Sequence, residues 1–134
     1  MRIAIVGSRE YPDLDDVREY VSACPADTVI ISGGARGVDR TAEDTAKARG
    51  LATLVYPADW QTYGKSAGYR RNVEMIDAAE YVVAFWDGTS RGTKHSIDLA
   101  IRAGKLAALV TPEEVIVYNY VPAEREEEEA HATG

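Results

Sequence analysis

The sequence predicts an α/β fold: a mainly parallel sheet of five or six strands with helices on both faces, a three-layer sandwich. Three observations predict it. Short β-rich apolar runs alternate along the chain with segments of helical spacing. The runs are nearly continuously apolar rather than alternating, as strands covered on both faces are. Gly or Pro punctuates most junctions between the two patterns. Strand–helix alternation of this kind builds parallel sheets through crossover connections.

The first strand is Arg2–Val6, ending at Gly7-Ser8-Arg9. After the loop Tyr11-Pro12-Asp13, a helix starts at Asp15 or Asp16 and runs to about Ala23, with Val17, Tyr20, Val21 and Ala23 or Cys24 at helical spacing; Pro25 ends it. Thr28–Ile31 is the second strand. It runs into Ser32-Gly33-Gly34-Ala35-Arg36-Gly37, and a helix over about Val38–Arg49 follows, with Gly50 as its stop. Leu51–Tyr56 is the third strand, followed by a long polar and aromatic loop, Pro57–Ser66, and a helix over about Ala67–Ala79. Glu80–Trp86 is the fourth strand, Asp87–Thr93 a second glycine-containing turn, Lys94–Ala103 a helix stopped by Gly104, and Lys105–Val110 the fifth strand. Val115–Val121 alternates weakly and reads as an edge strand or an oligomer arm.

A chain of 134 residues is one domain by length, here taken as residues 1–123. The net charge of −7 is unevenly spread: Glu124–Glu129 carries five acids and one base, leaving 14 basic and 17 acidic residues elsewhere. Such a terminal block reads as a solvated, disordered tail, residues 124–134. Neither part has the basic excess of a sequence-independent DNA binder, so nucleic acid is not the expected partner. With 28% charged residues there is no stretch apolar enough to span a bilayer, and no membrane partner is expected. The N-terminus reads as a strand rather than a signal peptide, and Cys24 is the single cysteine; both place the chain in the cytoplasm, with no metal site.

In a parallel sheet every loop that follows a strand emerges at one edge, and ligands bind there at the switch in strand order. Gly7-Ser8-Arg9, Gly33–Arg40, Pro57–Ser66 and Asp87–Thr93 all follow strands, so every unusual stretch falls on one rim. Gly7, Gly33, Gly34, Gly37, Gly88 and Gly92 allow sharp bends or close approach there. The amides opening the helix after Gly37 favour an anion. Arg9, Arg36, Arg71 and Arg91 supply planar forks of donors for phosphate or carboxylate. Neither glycine turn has the spacing of a dinucleotide fingerprint or a P-loop.

Other residues admit two readings. Ser8 and Thr93 either cap a local N-terminus or touch a ligand. Asp39 complements a helix dipole, holds Arg36 or Arg40, or faces a ligand hydroxyl. Asp87 forms a turn or contacts a ligand. Trp60, Tyr63 and Tyr69 stack on a base or pack as a lid. Trp86 reads as core, and His95 as an ordinary residue of a helix surface, since neither a metal set nor a nucleophile–histidine set accompanies it.

With these residues in hand, the chain resembles the SLOG superfamily, the Rossmann-like group that unites the DNA-processing protein A fold with the LOG phosphoribohydrolases. Its small stand-alone YspA/cpYpsA-related branch is the most similar. The resemblance is carried by Gly7-Ser8-Arg9, Ser32–Asp39, Pro57-Ala58-Asp59-Trp60, Gly68-Tyr69-Arg70-Arg71-Asn72 through Met75, and Trp86–Thr93. It implies a doubly wound Rossmann-like sandwich that binds a nucleotide or nucleotide-derived ligand, with no cofactor and with a homodimer as the family habit. The implied ligand residues are Gly7, Ser8, Arg9, Gly33, Gly34, Ala35, Arg36, Gly37, Asp59, Trp60, Tyr63, Asn72, Gly88, Ser90, Arg91, Gly92 and Thr93. In LOG enzymes an Arg-Lys pair and a Gly-Gly-x-Gly-Thr-x-x-Glu turn carry glycosidic cleavage. Arg71, Met75, Gly92 and Thr93 match, whereas Asn72 stands for the lysine and Ser96 for the glutamate. Catalysis of that class therefore rests on Arg71 with Asp39 or Asp87, or Asp98, in the missing role. The Ala35–Asp39 turn and Arg71-Asn72 also match the DNA-processing family, which implies single-strand binding as the alternative.

Overall fold

The computed structural model describes residues 1–118; the expected boundary at 123, the end of the Val115–Val121 segment and the acidic segment 124–134 lie outside the described residues. The elements are β1 (Arg2–Gly7), α1 (Leu14–Ser22), β2 (Val29–Ser32), α2 (Val38–Ala48), β3 (Ala52–Val55), α3 (Trp60–Tyr63), α4 (Ala67–Ala78), β4 (Tyr81–Phe85), α5 (Arg91–Arg102), β5 (Leu106–Val110) and β6 (Val115–Val117). The strands form one six-stranded sheet in the order β3-β2-β1-β4-β5-β6. The first five are parallel; β6 turns back to pair antiparallel with β5.

Side-chain alternation along β1 divides the core. Ile3 and Ile5 point into one cluster with Val17 and Val21 of α1, Val38 and Ala42 of α2, and Phe85. Ala4 and Val6 point into the other, with Met75 and Ile76 of α4 and Ile97 and Ala100 of α5. Each face is sealed by two helices, so β1 is apolar at every buried position. Burying each Ile or Val contributes about 1.5–3 kcal/mol relative to exposure, and this fixes the register Ile5↔Val83 and Ile3↔Ile30 at the sheet centre. β3 lies at the edge, with Leu54 and Val55 exposed.

Three local features depart from the sequence expectation. The Pro57–Ser66 loop contains α3 and a 3-10 turn at Gly64–Ser66. The Asp59 carboxylate accepts from the Thr62 amide to start α3, and Gly64 ends it at φ +57°. Helix α5 begins three residues before Lys94, because Ser90 rather than Thr93 is the N-cap. Tyr11, assigned to a loop, is buried edge-on against Phe85 with its hydroxyl donating to Asp16 at 2.9 Å.

Candidate nucleotide-binding cavity at the strand switch

Strand β1 has β2 on one side and β4 on the other, and the crossovers from these two neighbours leave on opposite faces. A crevice opens beyond the carboxyl ends of β1 and β4. It holds a cavity of about 580 Å³, within the range of small-molecule sites.

The floor is built by the end of β1 and the start of α5. The Ser8 hydroxyl accepts from the Asp87 amide at 3.1 Å and lies 3.4 Å from the Thr93 hydroxyl, which lies 3.1 Å from that of Ser90. Ser8 and Thr93 are buried, so this hydroxyl cluster ties the two central strands together beneath the cavity. Asp87 proves to be a turn former. Burial alone would raise its pKa, but amides of Thr89 and Ser90 and the hydroxyls of Ser8 and Thr89 outweigh it and hold the carboxyl below the usual range. Trp86 is half-buried, its Nε1 donating to the Ser90 carbonyl at 3.1 Å, so it staples the turn as well as packing on the core.

One wall comes from the β2–α2 turn. Ser32 closes β2 and donates to the buried Glu43 carboxylate at 2.5 Å; the Gly34 amide donates to Ser32 Oγ at 3.2 Å. Asp39, in the first turn of α2, folds back so that its Oδ2 accepts from the Ala35 amide at 3.2 Å. Two amides of the expected phosphate cradle are therefore already occupied from within. Burial pushes the Asp39 pKa up to about 7, against the opposing pull of the Ala35 amide and Arg71, with Glu43 adding to the rise.

Arg71 crosses from α4 to meet this wall. Its Nη1 donates to the Gly33 carbonyl at 2.6 Å and its Nε to Asn72 Oδ1 at 3.0 Å. A Cβ at Gly33 would collide with the guanidinium and press on Asp39 Oδ2, which is why that position is glycine. Burial, with the neighbouring charge of Arg9, weakens the hold of Arg71 on its proton, and Asp39 only partly offsets this. Arg36, exposed, pairs with exposed Glu10 at 3.1 Å, a contact worth little in water and easily exchanged.

Of the residues singled out in the sequence, Gly7, Arg9, Ala35, Arg36, Asp39, Trp60, Arg71, Asn72, Asp87, Ser90, Gly92 and Thr93 line this one cavity. Arg36, Arg71 and Thr93, on three separate elements, converge. Ser8 lies behind the lining; Gly33 backs Arg71. Asp59 and Tyr63 fall instead in an adjoining depression with Arg70 and Glu74, which Arg71 also borders. Arg70 covers the Tyr63 ring at 4.3 Å. Gly34, Gly37, Gly88 and Arg91 do not line the cavity.

Sequence reasoning missed Glu10, Lys65 and Thr89, which do line it, and the buried Glu43 behind it. Glu43 could have been found, since Asp39 and Glu43 are four apart and share a helix face. His95 departs from its expected place on a plain helix surface: it is half-buried, with its ring 4.4 Å from that of Tyr69 and its Nδ1 3.2 Å from Asn72 Nδ2.

Residues 1–63 match the model of the YspA, cpYpsA-related SLOG family. The Gene 61 protein of Mycobacterium phage D29 is 35% identical over 113 residues, covering 77% of this chain and 90% of that protein. Among solved structures, DNA processing protein A from Helicobacter pylori, studied for its single-stranded DNA binding mode, superposes with a TM-score of 0.60. The match covers 98% of this chain and 73% of that one at 22% identity, a likeness of fold. Among the described residues no helix is long and apolar enough to cross a membrane.

Proposed function

Because the chain belongs to the SLOG superfamily, with its N-terminal half matching the YspA/cpYpsA-related branch, we propose that it binds a nucleotide or nucleotide-derived phosphorylated ligand in the cavity at the β1/β4 switch. The observation that carries this reading is convergence. Arg9, Arg36 and Arg71 reach one cavity from three elements, and Trp60 and Tyr69 present rings on its rim, 55% and 47% exposed. Arginine forks suit phosphate, and exposed amphipathic rings suit a base.

In this reading Arg71 is the principal anion ligand, already oriented by Gly33 and Asn72. Arg9 and Arg36 neutralise further charge, Arg36 by exchanging Glu10 for the ligand. Thr93 and Gly92 bound the opposite side, and Trp60 covers the base. Should the site carry N-glycosidic cleavage, Asp39 is the carboxylate suited to proton transfer. It lines the cavity, its pKa lies at about 7, and a group titrating near the working pH can both give and take a proton. Asp87 is committed to its turn, and Ser96 brings no carboxylate to the position that the resemblance assigns to glutamate. A cytoplasmic setting and a homodimer belong to the same proposal; the exposed Val115, Ile116 and Val117 of β6 offer one surface for assembly.

The test is a thermal-shift screen of nucleoside mono- and diphosphates, followed by calorimetry. A rise in Tm that grows with ligand concentration supports the reading. Absence of any response, or an Arg71→Ala protein with undiminished affinity, removes it.

A second reading is single-strand nucleic-acid binding. It is favoured by the fold shared with the Helicobacter pylori protein and by the run of Trp60, Tyr63, Arg70 and Tyr69 along α3 and α4. This keeps nucleic acid among the partners to be tested, against the expectation from charge. Oligonucleotide affinity that falls steeply with salt, and exceeds mononucleotide affinity, selects it.

A further inference from the structure

Arg71 is held by a hydrogen-bonded relay whose donors and acceptors follow from the one group that can only donate. Its Nε–H can only donate, so the Asn72 atom 3.0 Å away is the carbonyl oxygen Oδ1. The amide nitrogen Nδ2 then points the other way, towards the Gly92 carbonyl at 3.4 Å and His95 Nδ1 at 3.2 Å. Because Nδ2 donates, Nδ1 of His95 must accept, and the ring is neutral with its proton on Nε2. The Tyr69 ring, tilted by 46° at 4.4 Å, fixes the imidazole plane. The chain of contacts therefore runs from His95 through Asn72 to Arg71 and on to the Gly33 carbonyl, linking α5, α4 and the β2–α2 turn.

We infer that His95 is a positioning residue for Arg71: as a neutral acceptor it fixes Asn72, and through Asn72 the guanidinium in the cavity, and a proton on Nδ1 undoes the arrangement. Protonated His95 sets donor against donor at Nδ2. Rotating the Asn72 amide to relieve that clash would set its NH₂ against Arg71 Nε. Either way Arg71 loses its brace. The inference rests on the proposal that Arg71 binds the ligand anion.

The charged groups acting on His95 are Asp98 and Arg102 of α5. From α4 the titratable ring is Tyr69, with Asn72 and Arg71 beyond it. Asp98 is itself engaged by Lys94 at 3.0 Å. Burial, then Arg102, hold the imidazole below its ordinary range, and Asp98 only partly offsets them, so the neutral form prevails at pH 7. Asp39 also titrates near pH 7 and acts on Arg71 directly, so the experiment must separate the two.

The test is ¹⁵N NMR of the ligand-free full chain from pH 8 to 5, following the Arg71 Nε–H signal, assigned by its absence in Arg71→Lys. In the wild type that signal is expected to move with the midpoint of the His95 ring protons. His95→Gln can accept from Asn72 but does not titrate; it keeps the neutral-pH position and loses this component. His95→Leu displaces the signal at every pH. A signal that stays still while His95 titrates, or that moves identically in His95→Gln, overturns the inference. Calorimetry with adenosine monophosphate gives the second readout. Affinity is expected to fall several-fold, by less than tenfold because the ring titrates below its ordinary value, between pH 7.5 and 5.5 in the wild type, and by a clearly smaller factor in His95→Gln. Equal pH dependence in both proteins overturns the inference. If the monophosphate binds to neither, the ligand reading fails while the NMR result still decides the role of His95.

Discussion

The turn after β2 and the turn after β4 each carry glycines where a helix begins, yet they are held by different means. In the first, Gly37 occupies the N-cap of α2 and supplies no side-chain bond. Its stability comes from across the molecule: Arg71 against Gly33, the Arg9 backbone against Gly37, and Asp39 reaching back to Ala35. In the second, Asp87 and Ser90 make most of the bonds within the turn, Ser8 adds one from the end of β1, and a Cβ at Gly88 or Gly92 would meet open space. One bend is defined by its distant neighbours and the other mainly by its own side chains. The first therefore couples ligand contacts to the fold, while in the second the two glycine positions can change with little structural consequence.

Substitutions can break or sharpen that contrast. The largest effect is expected from Gly37→Ala. A Cβ there meets the Arg9 carbonyl oxygen at 2.5 Å, and φ is +81°. Left-handed backbone and overpacking together predict a loss of about 3 kcal/mol, read from urea unfolding. A loss below about 1 kcal/mol would mean the turn is not fixed by its surroundings. Arg71→Ala comes next, with a 10- to 100-fold loss of mononucleotide affinity by calorimetry, about the worth of a charge-assisted hydrogen bond.

Asp39 gives a test in pH. Its carboxyl takes up a proton at about 7 when folded, against 3.8 when unfolded. Between those values the native state holds the extra proton, so wild-type stability is expected to fall as pH rises through this window and level off above it. Asp39→Asn should remove that slope; an unchanged slope would show that Asp39 is not its source. In the other turn, Ser90→Ala deletes the cap on α5 and should cost about 1 kcal/mol, with no effect on Arg71. The smallest effect has the opposite sign. Gly92→Ala, inside α5, is expected to raise stability by about 0.5–1 kcal/mol, while its methyl, at a cavity-lining position, weakens ligand binding.

Strand and helix order was legible because buried parallel strands and amphipathic helices write their periods directly into the chain. The common rim followed from topology alone, and Arg9, Arg36 and Asp39 line the cavity from it, whereas Arg71 reaches it from inside α4. What stayed hidden depends on side chains meeting across elements. Nothing local marks His95 as the partner of Asn72, or Tyr11 as a buried ring, since both contacts join residues from separate elements. Asp59 and Tyr63 were misdirected for a related reason: a four-residue helix, too short to show a period, turns them into the adjoining depression. Thr93 was the cap read at the start of α5, and the backbone path gives that role to Ser90 three residues earlier.

The absence of a side chain at position 33 carries a historical consequence. The space left there is filled by the guanidinium of residue 71, thirty-eight positions further along the chain. The two sites should therefore drift together among homologous sequences. Lineages that have exchanged Arg71 for a short residue are the ones in which alanine or serine at 33 becomes tolerable, and an alignment can be searched for that paired replacement.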